Sequence, residues 1–137
     1  MLAHMGGPFW ARRDAGAWSI PKGEYGPDDD PLAAARREFE EEIGRPAPDG
    51  ALTALGEVRQ SGGKVVIAWA IEADIDVSEI ESNTFTLEWP RGSGRMREFP
   101  EVDRADWLDV ETAREKLVKG QIALLDRLLE SVGDDRD

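Results

Sequence analysis

Ile20 to Arg45 reads IPKGEYGPDDDPLAAARREFEEEIGR, and this stretch decides the fold. Its second half has the marks of one amphipathic helix. Asp30 is placed to cap the N-terminus, and Pro31 to take the first helical position, where its missing N–H costs nothing. Gly44 stands where a left-handed C-terminal stop belongs, and Pro46 blocks continuation. At about 100° per residue, Leu32, Ala35, Phe39 and Ile43 form a narrow stripe that must face a core. Glu38, Glu41 and Glu42 fall together on the flank of that stripe, and Ala34, a turn earlier, leaves room above them. Acids are ill at ease there. Glu38 and Glu42 repel at i,i+4 by roughly 0.2–0.5 kcal/mol, and Glu40, Glu41 and Glu42 crowd the negative end of the helix dipole. A cation among the carboxylates would relieve both penalties. The plainer account is a solvated face, with Arg36 paired to Glu40, Arg37 to Glu41 and Glu41 to Arg45. The spacing to residues upstream decides between the two.

That spacing resembles the Nudix box, Gly-x5-Glu-x7-Arg-Glu-U-x-Glu-Glu-x-Gly-U, where U is a bulky apolar residue. Gly23 opens the box, Arg37-Glu38-Phe39 form its centre, and Glu41-Glu42 and Gly44 complete it. Asp29 replaces the early glutamate, one methylene shorter, and Arg45 replaces the final apolar residue. The box covers 23 of the 137 residues. The resemblance implies an α/β fold of the Nudix type, an α/β/α sandwich around a mixed sheet, filling residues 1–137 as one domain. It also implies hydrolysis of a nucleoside diphosphate linked to another group. Glu38, Glu41 and Glu42 would bind magnesium, with manganese as the alternative, and the carbonyl around Gly23 can join the metal shell. The same three acids and a later one would divide the catalytic work. Arg37 would orient a box carboxylate through an ion pair.

Composition bounds the answer further. The net charge of −12 argues against general nucleic-acid or membrane-surface binding. It is compatible with a small nucleotide polyphosphate that arrives with a divalent cation. With no cysteine and one histidine, neither thiolate chemistry nor a histidine-based zinc site is available. No apolar run approaches the ~18 residues of a membrane span, and no signal peptide opens the chain. A cytoplasmic enzyme or binding protein is the expectation, with oligomeric state open and a dimer among the options.

Along the chain, Met1 to Met5 suits a strand broken by Gly6-Gly7-Pro8. Nudix domains carry another strand ahead of this point, so the resemblance implies a sheet lacking its first N-terminal strand. His4 has no partner motif and reads as a structural histidine. Trp18-Ser19-Ile20 suggests a short strand leading to Lys22, a candidate phosphate ligand. The sequence Trp-Ser-Ile-Pro-Lys-Gly-Glu resembles relatives that act on dinucleoside polyphosphates. Leu52 to Gln60 is strand-like, Ser61-Gly62-Gly63 a turn, and Val65 to Ile71 a strand buried on both faces. Thr84 to Trp89 alternates as a half-buried strand. Arg91, Arg95 and Arg97 follow in a glycine-rich stretch that suits polyphosphate recognition. Among the downstream acids Glu88, Glu98 and Glu101, Glu98 adjoins this loop and is favoured as the general base. An extended segment is predicted at Trp107-Leu108-Asp109, helix from Glu111 to Leu117 and Gln121 to Val132, and a frayed tail at 133–137. Two rivals to hydrolysis remain: a catalytically silent Nudix fold that senses a nucleotide, and an acidic interaction domain.

Overall fold

The computed structural model describes residues 1–23 and 25–134. Seven strands and three α-helices follow one another as β1 (Leu2–Met5), β2 (Trp18–Ser19), α1 (Pro31–Ile43), β3 (Leu52–Arg59), β4 (Val65–Ile71), β5 (Thr84–Glu88), β6 (Met96–Pro100), β7 (Val102–Asp106), α2 (Val110–Lys116) and α3 (Ile122–Asp134). The chain is thus mixed α/β, as its resemblance implies. Of the predicted tail, residues 135–137 lie outside the described residues, and α3 runs on to Asp134.

The central helix forms for the reasons its sequence offers. Asp30 is extended, and its carboxylate accepts from the Ala33 N–H. Gly44 closes the helix at φ 85°, a left-handed conformation in which a Cβ would be strained, and its N–H reaches the Glu40 carbonyl at 2.8 Å. The terminal carbonyls still need partners. The segment after β4 supplies them: Glu81 N–H donates to Ile43 O at 3.1 Å and Asn83 N–H to Glu41 O at 2.7 Å.

The strands make three antiparallel sheets, ordered β2-β1-β7, β3-β4 and β5-β6. A parallel bridge, Trp18 to Leu117, extends the first toward α2. Strand β7 lies ahead of the predicted extended segment. Its VDRAD composition hides it, because only Val102 and Ala105 are buried while the residues between them face water. One buried cluster joins Leu2, Ala17, Trp18, Ala113 and Leu117, and a second joins Val58, Ala68 and Leu124. The fully buried His4 packs edge-on to Trp18, with Nδ1 2.8 Å from Asp103 and Nε2 2.6 Å from the Arg13 carbonyl. It is a satisfied structural histidine that ties the loop after β1 to β7.

Strand β4 departs from expectation. Of VVIAWAI only Ala68 is buried, and Val65 is exposed. Among the described residues β3 is its one hydrogen-bonded strand, and it borders an open cleft of about 1750 Å³ whose other walls include Leu32 and Phe39 of α1 and Leu128 of α3. The apolar run is matched by an apolar cleft and not by a second strand.

Candidate active site

Ser19 and Ile20 carry the chain from β2 into the glycine bend, and a buried amide holds them there. Gln121 has no exposed surface. Its oxygen accepts from the Ile20 N–H at 3.0 Å, and its nitrogen donates to Ser19 Oγ at 3.0 Å and to Gln60 Oε1 at 2.9 Å. All three bonds cross between elements far apart in sequence. Lys22 and Gly23 are thereby set against α1.

The contact with α1 is close. Lys22 N–H donates to Glu42 Oε2 at 2.8 Å. Gly23 lies so near Glu38 that a Cβ at this position would overlap the glutamate side chain. Burial pushes the Glu42 carboxyl up to about 7, opposed by the Lys22 N–H bond and ammonium and reinforced by the charges of Glu101 and Glu38. Glu38 is also raised, first by burial, then by the charge of Glu41 and a hydrogen bond between the two carboxyls. Arg37 opposes that shift from 3.6 Å. The arginines do not adopt the predicted i,i+4 pairs: Arg36 stands 4.0 Å from Asp49, and Arg37 beside Glu38.

Of the downstream acids, Glu101 is the one whose charge Glu38 and Glu42 both feel. Its place follows from the backbone. Glu101 N–H donates to Asn83 O at 2.9 Å, Asn83 N–H is already bonded to α1, and the Gly6 N–H donates to Glu101 O at 2.9 Å. Glu98 is instead in the β5–β6 hairpin, where it accepts from the Thr84 hydroxyl, and Glu88 accepts from the Gly92 N–H at 2.6 Å. The arginine loop forms the turn of that hairpin. Arg91 lies 5.6 Å over Phe9 and Arg97 5.5 Å over Phe99, while Arg95 joins the turn through its backbone, accepting from Trp89 N–H. Among the described residues none of the three is bonded to a box acid. Asp29 accepts from the Gly26 N–H at 2.8 Å, which closes the turn ahead of α1.

Sequence reasoning missed two contributors. Asn83 falls just ahead of the predicted strand at Thr84, where nothing local marks it. Gln121 reads as an ordinary helix-start residue, and nothing local marks an amide destined for full burial.

An all-oxygen donor set suits a hard divalent cation. Glu38 and Glu41 favour such a cation to the extent that each disfavours the other's charge, Glu41 adding to the burial that raises Glu38. Among the described residues, no three acids or histidines are gathered tightly enough to form a finished metal cage, and Glu42 gives one oxygen to Lys22.

A helix thus sets Glu38 and Glu42 against a glycine bend on a mixed α/β frame. The NUDIX domain model matches residues 5–128, most of the chain, and the protein belongs to that family. No curated protein and no solved structure matches it. Membership implies hydrolysis of nucleoside diphosphate derivatives, and enzymes of this family generally use a divalent metal, usually Mg2+. No helix among the described residues is long and apolar enough to cross a membrane.

Proposed function

We propose that this protein is a magnesium-dependent pyrophosphohydrolase acting on a dinucleoside polyphosphate, such as diadenosine tetraphosphate, or on a nucleoside or deoxynucleoside triphosphate. One observation carries the reading. Glu42 accepts the Lys22 N–H at 2.8 Å while the Glu38 side chain closes on Gly23, so two box acids meet in partial burial at the glycine bend. So much negative charge in partial burial is costly without a cation.

Glu38, Glu41 and Glu42 would hold the ion, with the backbone around Gly23 beside them. Bound there, a divalent ion supplies Lewis-acid polarisation of the phosphate oxygens. The chain's own residues do the rest. Lys22 sets a positive charge next to Glu42 where phosphate would lie. Arg37 steadies Glu38. Glu101, held by the Gly6 and Asn83 backbone bonds, is the downstream acid we assign to accepting the proton of the attacking water, in place of Glu98. The arginine loop, with Arg91 and Arg97 held over aromatic rings, would meet the distal phosphates of a long substrate.

The test is a panel of diadenosine polyphosphates, nucleoside triphosphates, ADP-ribose and capped RNA, with magnesium and product identification. Glu41→Gln and Glu42→Gln should lower turnover by at least about 100-fold. Glu101→Gln should lower kcat by about 100- to 10,000-fold, the range of a lost general base, while Glu98→Gln stays near wild type. Equal rates across wild type and the box variants would refute the assignment. A second reading, a silent nucleotide sensor, draws on Asp29, which spends its carboxylate on Gly26. It predicts calorimetric binding of a nucleotide that survives prolonged incubation with magnesium intact.

A further inference from the structure

A second cavity, of about 550 Å³, opens beside the acid site. Its walls include Met5, Trp10, Ser19, Lys22, Gln60 and Lys119. Among the described residues no acid lines this cavity, and two lysines do. In a protein of net charge −12, a recess of positive sign is a selective device for an anion.

The cavity is joined to the acids through one residue. Lys22 lines it, while its N–H is bonded to Glu42 Oε2 at 2.8 Å and its ammonium charge acts on the same carboxyl. An anion on Lys22 therefore touches both compartments. The lining also carries Lys119 and a large ring, Trp10, which is steadied by Arg13 at 5.5 Å from its centroid. Arg13 in turn is anchored, because its carbonyl is held by the buried His4 ring at 2.6 Å. Gln60 contributes a fixed amide. Its Oε1 is taken by Gln121 Nε2 at 2.9 Å, which leaves its NH2 as the donor end. A volume of this size suits a nucleoside with one or two phosphates.

Resting on the nucleotide reading above, we propose that this cavity is the seat of the substrate's nucleoside, with the base stacked on Trp10 and the phosphate chain running from Lys119 past Lys22 to the box acids. The role is one of specificity. An aromatic face accepts any base, the Gln60 amide offers a donor to a base or ribose oxygen, and the lysine pair demands phosphate.

Binding can be measured without turnover. ATP is titrated calorimetrically into the whole protein in EDTA at low salt, with inorganic triphosphate as the base-free probe. Trp10→Leu should weaken ATP by about tenfold and leave triphosphate within twofold. Lys119→Met should weaken both by about tenfold. No measurable ATP binding to wild type, or unchanged affinity in both variants, would overturn the proposal. So would an equal loss of ATP and triphosphate in Trp10→Leu, since the ring would then not be reading a base. The catalytic reading fails separately: variants that lose ATP affinity in a protein that cleaves nothing in the panel would remove the hydrolase and keep the pocket. Unchanged affinities in a protein that does cleave would do the reverse.

Discussion

Glu42 makes a single carboxyl answer for both stability and chemistry. In the folded chain it keeps its proton to about pH 7, against an ordinary value of 4.5. The folded form therefore binds more protons between those values. Its contribution to stability is whole below pH 4.5 and is lost as pH rises through about 7. Allowing for its partial exposure to water, the loss is on the order of 2 kcal/mol. Thermal unfolding in EDTA should show Tm falling from pH 5 to 8, and Glu42→Gln should flatten that slope. A slope identical in the variant would assign it to other groups. Gly23 invites a complementary test. The atoms a Cβ would meet there are the far end of the Glu38 side chain, which can swing aside. Gly23→Ala should keep the fold, as read by circular dichroism, and lower turnover by about 10- to 100-fold, since a displacement of this size is enough to spoil positioning.

Helix α1 was legible because its determinants are local. The Asp30 cap, Pro31, the apolar stripe and the Gly44 stop all lie within its own residues. Strand β7 was not, because VDRAD becomes a strand only by pairing with β1, about a hundred residues earlier. The candidate site divides in the same way. The box acids follow from spacing, whereas the preference for Glu101 over Glu98 depends on which side of the β6–β7 turn faces α1. The backbone link from Asn83 to Glu41 and Glu101 is what supports the proposed preference, and no sequence pattern announces it. Gln121 is the clearest case of a long-range element contact. Gln121→Leu would leave the Ile20 N–H without its partner and should cost about 1–3 kcal/mol in urea unfolding. It should also lower activity by loosening the path into Lys22, and Gln121→Glu at low pH, where the carboxyl is protonated, should recover part of the stability.

Across the molecule, the apolar material is divided between two buried clusters and one open cleft. Exposed apolar clefts of this kind take up hydrophobic dyes. The native protein should enhance anilinonaphthalene sulfonate fluorescence well below its unfolding transition. Phe39→Ser and Val66→Thr, on opposite walls, should each diminish the signal, and a native state that leaves the dye dark would mean the cleft is closed in solution. The cleft also bears on the acids, because Leu32, Ala35 and Phe39 of its wall belong to the helix that carries Glu38, Glu41 and Glu42. On the proposed function, the helix that holds the three acids is thus bordered on one side by open space. Stiffness of the acidic row and occupancy of that hollow are then one mechanical quantity, so any apolar guest that lodges behind Phe39 should steady the row as it raises the melting point.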